Sequence, residues 1–159
     1  MECFYYTNRT TSKGDSLTTE LVYRVQHSVT GEGPYGDDHS AISEMIYAHN
    51  SDRHPGPRNP ISGLHLTWSM GQLFGFRDRK QLDRWFKGWK HRLHDAGYVI
   101  KVLKVSEDQI CHGDRQLCFW PEGVVEEVET FSTVRNRKPA EGAVPNSRVG
   151  CGGDDDFEF

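Results

Sequence analysis

The sequence predicts an α+β fold: a mixed or antiparallel sheet carrying one long amphipathic helix over 78–96 and a shorter helix over about 39–49. Three observations predict it. Leu82, Trp85, Phe86, Trp89, Leu93 and Ala96 recur at helical spacing between Asp78 and Gly97. Three strand-like runs follow one another after that helix, which favours an antiparallel or mixed sheet over alternating βαβ units. The 159 residues suit one domain, and their 35% hydrophobic content predicts a modest core. Four Trp, six Tyr and eight Phe offset that polarity, because each aromatic buries a large area.

The elements run as follows. Residues 1–19 read as a mobile N-terminal segment, 20–135 as the domain, and 136–159 as a flexible tail rich in Pro, Gly, Asn and Ser. Glu20 to His27 is rich in β-formers and predicts the first strand. It ends in the turn Thr30-Gly31-Glu32-Gly33-Pro34-Tyr35-Gly36. Ile42, Met45, Ile46 and His49 share one face of the short helix. Asn50 to Gly63 contains Pro55, Pro57 and Pro60, which regular structure does not tolerate, and a loop of that length is more often functional or mobile than idle. Leu64 to Met70 alternates and suggests a strand, with a helix as the alternative. Asp78 supplies an N-cap and Gly97 a C-cap for the long helix. Tyr98 to Val105, Arg115 to Trp120 and Val124 to Phe131 are the three later strands, the last with an acidic outer face. No internal repeat is present.

A net charge of −4 argues against a dedicated duplex-DNA binder. Cys3, Cys111, Cys118 and Cys151 form no CxxC, with Cys111 and Cys118 in neighbouring segments. The start, Met1-Glu2-Cys3-Phe4, lacks a basic residue and an apolar run, and no stretch approaches transmembrane length. Free thiols in a reducing cytosol, with no membrane partner, are the expectation.

One constellation carries the leading functional expectation. Arg24 lies on a strand that enters a Gly-rich turn at Gly33-Pro34-Tyr35. Glycines let backbone N–H groups approach a phosphate, and a guanidinium pairs with it through two hydrogen bonds. This arrangement resembles the opening strand of ADP-ribosyltransferase folds, where an Arg or His holds the NAD. In the Arg-type branch a Ser-Thr-Ser strand and a Gln/Glu-x-Glu strand follow; here stand Thr67-Trp68-Ser69 and Arg115-Gln116-Leu117-Cys118. The resemblance implies Arg24 and Gln116 as catalytic positions. It also implies a ligand site for NAD or another nucleotide at Arg24, His27, Gly33, Tyr35, His54, Thr67 and Ser69. Cys118 stands where that branch has its catalytic Glu, so binding without transfer is the expectation. A broader span, about 22–119, resembles small phage and bacterial proteins through Tyr23-Arg24-Val25, Gly33-Pro34-Tyr35, His54-Pro55-x-Pro57, Gln81-Leu82-x-x-Trp85-Phe86 and Gln116-x-x-Phe119. That resemblance implies a phage protein acting in a bacterial host cytosol.

Other patterns say less. His91 and His94 stand at i, i+3, but zinc needs three or four converging ligands, so no metal site is expected. From Arg77 to Asp95 seven Lys/Arg face three Asp, which suggests a weak single-stranded nucleic-acid binder if aromatics are exposed beside them, and a solvated helix face if they are not. The tip Asp154-Asp155-Asp156-Phe157-Glu158-Phe159 resembles the acidic tips of single-stranded-DNA-binding proteins. It implies docking of Asp154, Asp155, Asp156, Phe157 and Phe159 on a host replication, repair or defence protein, as a non-enzymatic alternative.

Overall fold

The computed structural model describes residues 18–35, 42–49 and 51–134. Residues 1–17 and the acidic tip lie outside them; Thr19, expected in the N-terminal segment, opens the first strand. The fold is α+β, built on two three-stranded antiparallel sheets. The larger contains β1 (Thr19–His27), β3 (Tyr98–Ser106) and β6 (Val124–Ser132), in the order β1-β3-β6. The smaller contains β2 (Leu73–Gly75), β4 (Ile110–His112) and β5 (Leu117–Phe119), in the order β2-β5-β4. Tyr23 and Phe76 exchange two backbone hydrogen bonds of 2.9 Å and join the sheets.

Strands β1 and β3 of the larger sheet pack on both faces, and alternation along them explains how. Tyr23 and Val25 of β1, with Tyr98 and Ile100 of β3, face α1 (Ser43–Ala48), α2 (Arg79–Trp85) and α3 (Lys90–Asp95). Ile42, Met45, Leu82, Trp85, Phe86 and Leu93 fill that cluster from the helical side. On the opposite face Val22 pairs with Leu103 and packs with Val105 against Leu117 and Phe119 of the smaller sheet. Arg24 shares the face of Val22, so its side chain is directed between the sheets.

Strand β6 is an edge that resists further pairing. Its register with β3 slips twice, leaving Val128 and Val125 as extra, exposed residues. Glu126 and Glu127 pair with Lys104 and Lys101 across the strands. Bulges and charges on an edge block the addition of another strand.

Several expected elements differ from those observed. The single helix over 78–96 is two helices, interrupted at residues 86–89. Gly88 has φ +86°, a left-handed conformation that breaks the helical ladder. The apolar stripe survives the break: Leu82, Trp85, Phe86 and Leu93 are buried and Trp89 is half-buried. Asp78 caps α2 through its Oδ1, which accepts from the Gln81 backbone N–H at 2.7 Å, and Gly97 at φ +84° ends α3. The short helix covers 43–48 rather than 39–49; residues 39–41 lie outside the described ones. Leu64 to Met70 is not a strand. The Thr67 and Trp68 N–H groups both donate to the Leu64 carbonyl, closing a turn that leaves Leu66 and Met70 exposed. Among the described residues no helix is long and apolar enough to cross a membrane.

Candidate functional site

A cavity of about 450 Å³ opens where the end of β1, the turn after it and β2 meet. Its walls are the turn Thr30 to Tyr35, the rings of Phe74, Phe76 and Phe86, and the side chains of Val25 and Leu73. Besides Thr30, Glu32 and Tyr35 of the turn, the polar lining residues are Arg24, Gln72 and Gln116. These three are buried; Gln72 and Gln116 are held by partners outside the cavity, and Arg24 by Gln26 and by two carbonyls of the cavity wall.

Arg24 is 4% exposed. Its Nη1 donates to the Phe74 carbonyl at 2.9 Å and its Nε to Gln26 Oε1 at 3.2 Å, with a longer contact from Nη2 to the Gly31 carbonyl at 3.5 Å. These use three of the five guanidinium donors. Among the described residues no carboxylate is in ion-pair contact with Arg24, and burial lowers its pKa to about 10. Gly33 lies against the guanidinium; a Cβ there would stand 3.5 Å from Nη2. Gln116 Nε2 donates to the Pro55 carbonyl at 3.4 Å. Gln72 Oε1 accepts from the Ser69 backbone N–H at 2.9 Å and from the Cys118 thiol at 3.3 Å.

Behind Tyr35 lies a cluster of hydrogen-bonded rings. Tyr35 is 40% exposed as a residue, yet its hydroxyl lies inside, between Trp85 and His49. Trp85 Nε1 donates to that hydroxyl, whose own proton then goes to His49 Nδ1 at 2.7 Å. His49 and His54 stack with centroids 3.9 Å apart and planes within 6°. His54 Nε2 donates to the Trp85 carbonyl at 3.0 Å, which leaves Nδ1 as a bare acceptor with no partner among the described residues. Burial, then the neighbouring His54, holds His49 down to about 4. Burial, opposed by the Trp85 carbonyl and aided by Arg115 and Arg53, also lowers His54. Burial raises the Tyr35 phenol, partly offset by the Trp85 N–H.

This cluster makes stability depend on acid. Both imidazoles bind protons less readily folded than unfolded. The unfolded chain therefore takes them up first as pH falls through about 6.5. The stabilisation is complete above that value and is lost toward pH 4, by about 1–2 kcal/mol after allowance for solvent screening. Denaturation midpoints measured from pH 7.5 to 4 should show this loss, and His49→Phe should flatten it.

The structure brings Arg24, Gly33, Tyr35 and Gln116 to one cavity. The other proposed ligand-binding positions do not line it. His27 holds the turn instead, its Nδ1 accepting from Val29 and Thr30 N–H at 3.4 and 3.3 Å. His54 belongs to the ring cluster. Thr67 Oγ1 donates to the Leu64 carbonyl, and Ser69 reaches the site only through its backbone bond to Gln72. Glu32, Gln72 and the rings of Phe74 and Phe86 are lining residues that sequence reasoning missed. The lone glutamine in Gln72-Leu73-Phe74 was the available signal.

The basic helical surface is partly neutralised. Arg79 and Lys90 both pair with Asp83, and Arg92 pairs with Glu44 while covering the Trp89 ring. Tyr98 is buried. Among the described residues no group of three or more His, Cys, Asp or Glu is placed to hold a metal ion.

The geometry defines a small α+β protein with a preformed cavity around a buried cation. The chain belongs to the bacteriophage T4 Y00F protein family, whose model matches residues 17–133. The match spans β1 through β6 and so includes the whole cavity. No curated protein and no solved structure matches the chain.

Proposed function

We propose that this phage protein binds a small anionic ligand of the nucleotide class in the cavity beside Arg24. The observation that carries the reading is the guanidinium itself, buried at a cavity wall and in direct ion-pair contact with no carboxylate among the described residues, Glu32 of the same lining included. A buried charge is costly unless paired, and an entering phosphate would supply the pair through the two remaining N–H donors. Gln72 and Gln116 add amides, and Phe74 and Phe86 add flat apolar walls for a base. The volume falls within the range of small-molecule sites.

NAD and ADP-ribose are the first ligands to test, because the arrangement of Arg24, Gly33 and Gln116 resembles that of ADP-ribosyltransferases. Transfer is not expected. Cys118 stands where that branch has the carboxylate that supports the oxocarbenium-like transition state, and burial pushes its thiol up to about 12, while Gln116 offers only an amide. The reading places the protein in the host cytosol as a ligand-binding accessory rather than an enzyme. A thermal-shift panel of NAD, ADP-ribose, AMP and adenosine tests it. The phosphate-bearing compounds should raise the melting temperature and adenosine should not. Equal shifts from all four would refute an anion site. Covalent modification of protein acceptors during incubation with NAD would refute the non-enzymatic part.

A further inference from the structure

We propose that Cys111 and Cys118 form a site of reversible thiol–disulfide exchange, which takes a small disulfide as co-substrate and closes a bridge across the β4–β5 hairpin. The two residues are direct register partners on adjacent antiparallel strands. Both are free thiols. The hairpin bonds fix the type of pair: the Gly113 N–H donates to the Gln116 carbonyl and the Trp120 N–H to the Gln109 carbonyl. Alternation from those two rungs makes 111/118 a hydrogen-bonded pair, whose α-carbons stand about 5.5 Å apart in sheets of this kind. That spacing lies within the range disulfides span. Gln72 bridges the thiols, its Oε1 accepting from Cys118 at 3.3 Å and its Nε2 reaching Cys111 Sγ at 3.9 Å.

The two cysteines differ in access, which orders the steps. Cys111 is half-buried and Cys118 fully buried. The Cys111 thiolate attacks one sulfur of the small disulfide, whose S–S bond breaks and releases one thiol. Cys118 then loses its proton and attacks Cys111 Sγ, releasing the second small thiol. The protein gives up two hydrogens and two electrons, and the small disulfide becomes two thiols. The bridge removes the S–H that Cys118 donates to Gln72 Oε1. One wall of the cavity thus senses the oxidation state. This inference rests on the hairpin alone and holds whether or not the cavity binds a nucleotide.

The test uses the full chain with Cys3→Ser and Cys151→Ser, which leaves two thiols. It is incubated with oxidised glutathione and read by intact mass and by thiol titration after unfolding. The expected result is loss of both thiols and two hydrogens, with no glutathione retained, and full reversal by dithiothreitol. Cys118→Ser in the same background should stop at one glutathione adduct; Cys118→Ala serves if the serine variant does not fold. The side-chain amide resonances of Gln72 should move on oxidation. Retention of both thiols, or arrest of the two-thiol protein at a glutathione adduct, would overturn the proposal. Unmoved Gln72 resonances would overturn its link to the cavity.

Discussion

Gly113→Ala is expected to destabilise the protein by about 2–4 kcal/mol, in the range of overpacking with backbone displacement. Gly113 sits at the tip of the β4–β5 hairpin, where a Cβ would stand 2.5 Å from the Ser62 carbonyl oxygen, 2.7 Å from the Gln116 carbonyl oxygen and 2.7 Å from Leu64 Cγ. Two of these neighbours are backbone and the third is fully buried, so none yields by a side-chain rotation. The contact also clasps two parts of the chain. The Asp114 N–H donates to the Ser62 carbonyl, and Ser62 Oγ donates to the Pro57 carbonyl while accepting from the Leu64 N–H. Displacing the hairpin tip therefore disturbs the proline-rich loop that presents Pro55 to Gln116. Urea denaturation of the variant should show the midpoint lowered with an unchanged slope, and a Gly88→Ala control should lose less. Gly88 also has positive φ, but a Cβ there meets nothing within 4 Å.

Trp85→Ala is expected to cost about 3–5 kcal/mol, the usual range for removing a buried indole. Trp85 is buried against Phe76 and edge-on to both His49 and His54. Its N–H fixes the Tyr35 hydroxyl and its carbonyl accepts from His54. Truncation leaves a cavity and removes the donor that orients Tyr35. Trp85→Phe separates the two effects, because it retains most of the ring volume while it loses the N–H and leaves a small void. It should cost about 1–2 kcal/mol, the price of one buried hydrogen bond and a small void. Denaturant melts of both variants, with histidine resonances followed by NMR, give the comparison. Loss of the 49/54 stack in the alanine variant alone is the expected pattern.

The longer-period signals in the sequence located most of the core. The 82–93 stripe identified the buried helical face even though the helix itself breaks at Gly88, because burial depends on which side chains face the sheet and not on continuity of the backbone ladder. A glycine just past the middle of a helical pattern was the available warning. The strands over 19–27, 98–106 and 124–132 were legible because nine residues carry enough β-branched and apolar residues to register. Strands β2 and β4 were not, since three residues cannot display a period of two. The Leu64 to Met70 alternation was misleading for the converse reason: short alternation also arises in a turn capped by one carbonyl.

The site was legible in part. A strand arginine running into glycines pointed to Arg24 and Gly33, and both line the cavity. His27 and His54 entered on residue type alone, and local hydrogen bonds decide their use: one holds a turn and the other closes onto Trp85. No local pattern could have paired His49 with His54, or set Gln72 between two thiols 39 and 46 residues away. Those arrangements arise from tertiary packing of loops and short strands.

On the proposed reading, Arg24 is a buried cation that takes an anionic ligand. Calorimetric titration of ADP-ribose into the wild-type protein, Arg24→Lys and Gln116→Ala tests it most directly, after circular dichroism has shown each variant folded. The account predicts saturable binding of one ligand per chain. Arg24→Lys should weaken it by roughly 10- to 100-fold, as expected for a charge-assisted bidentate contact reduced to a point charge. Gln116→Ala should weaken it less. Binding of equal strength in wild type and Arg24→Lys, or no binding by a folded wild-type protein of ADP-ribose, NAD or AMP at millimolar concentration, would contradict it.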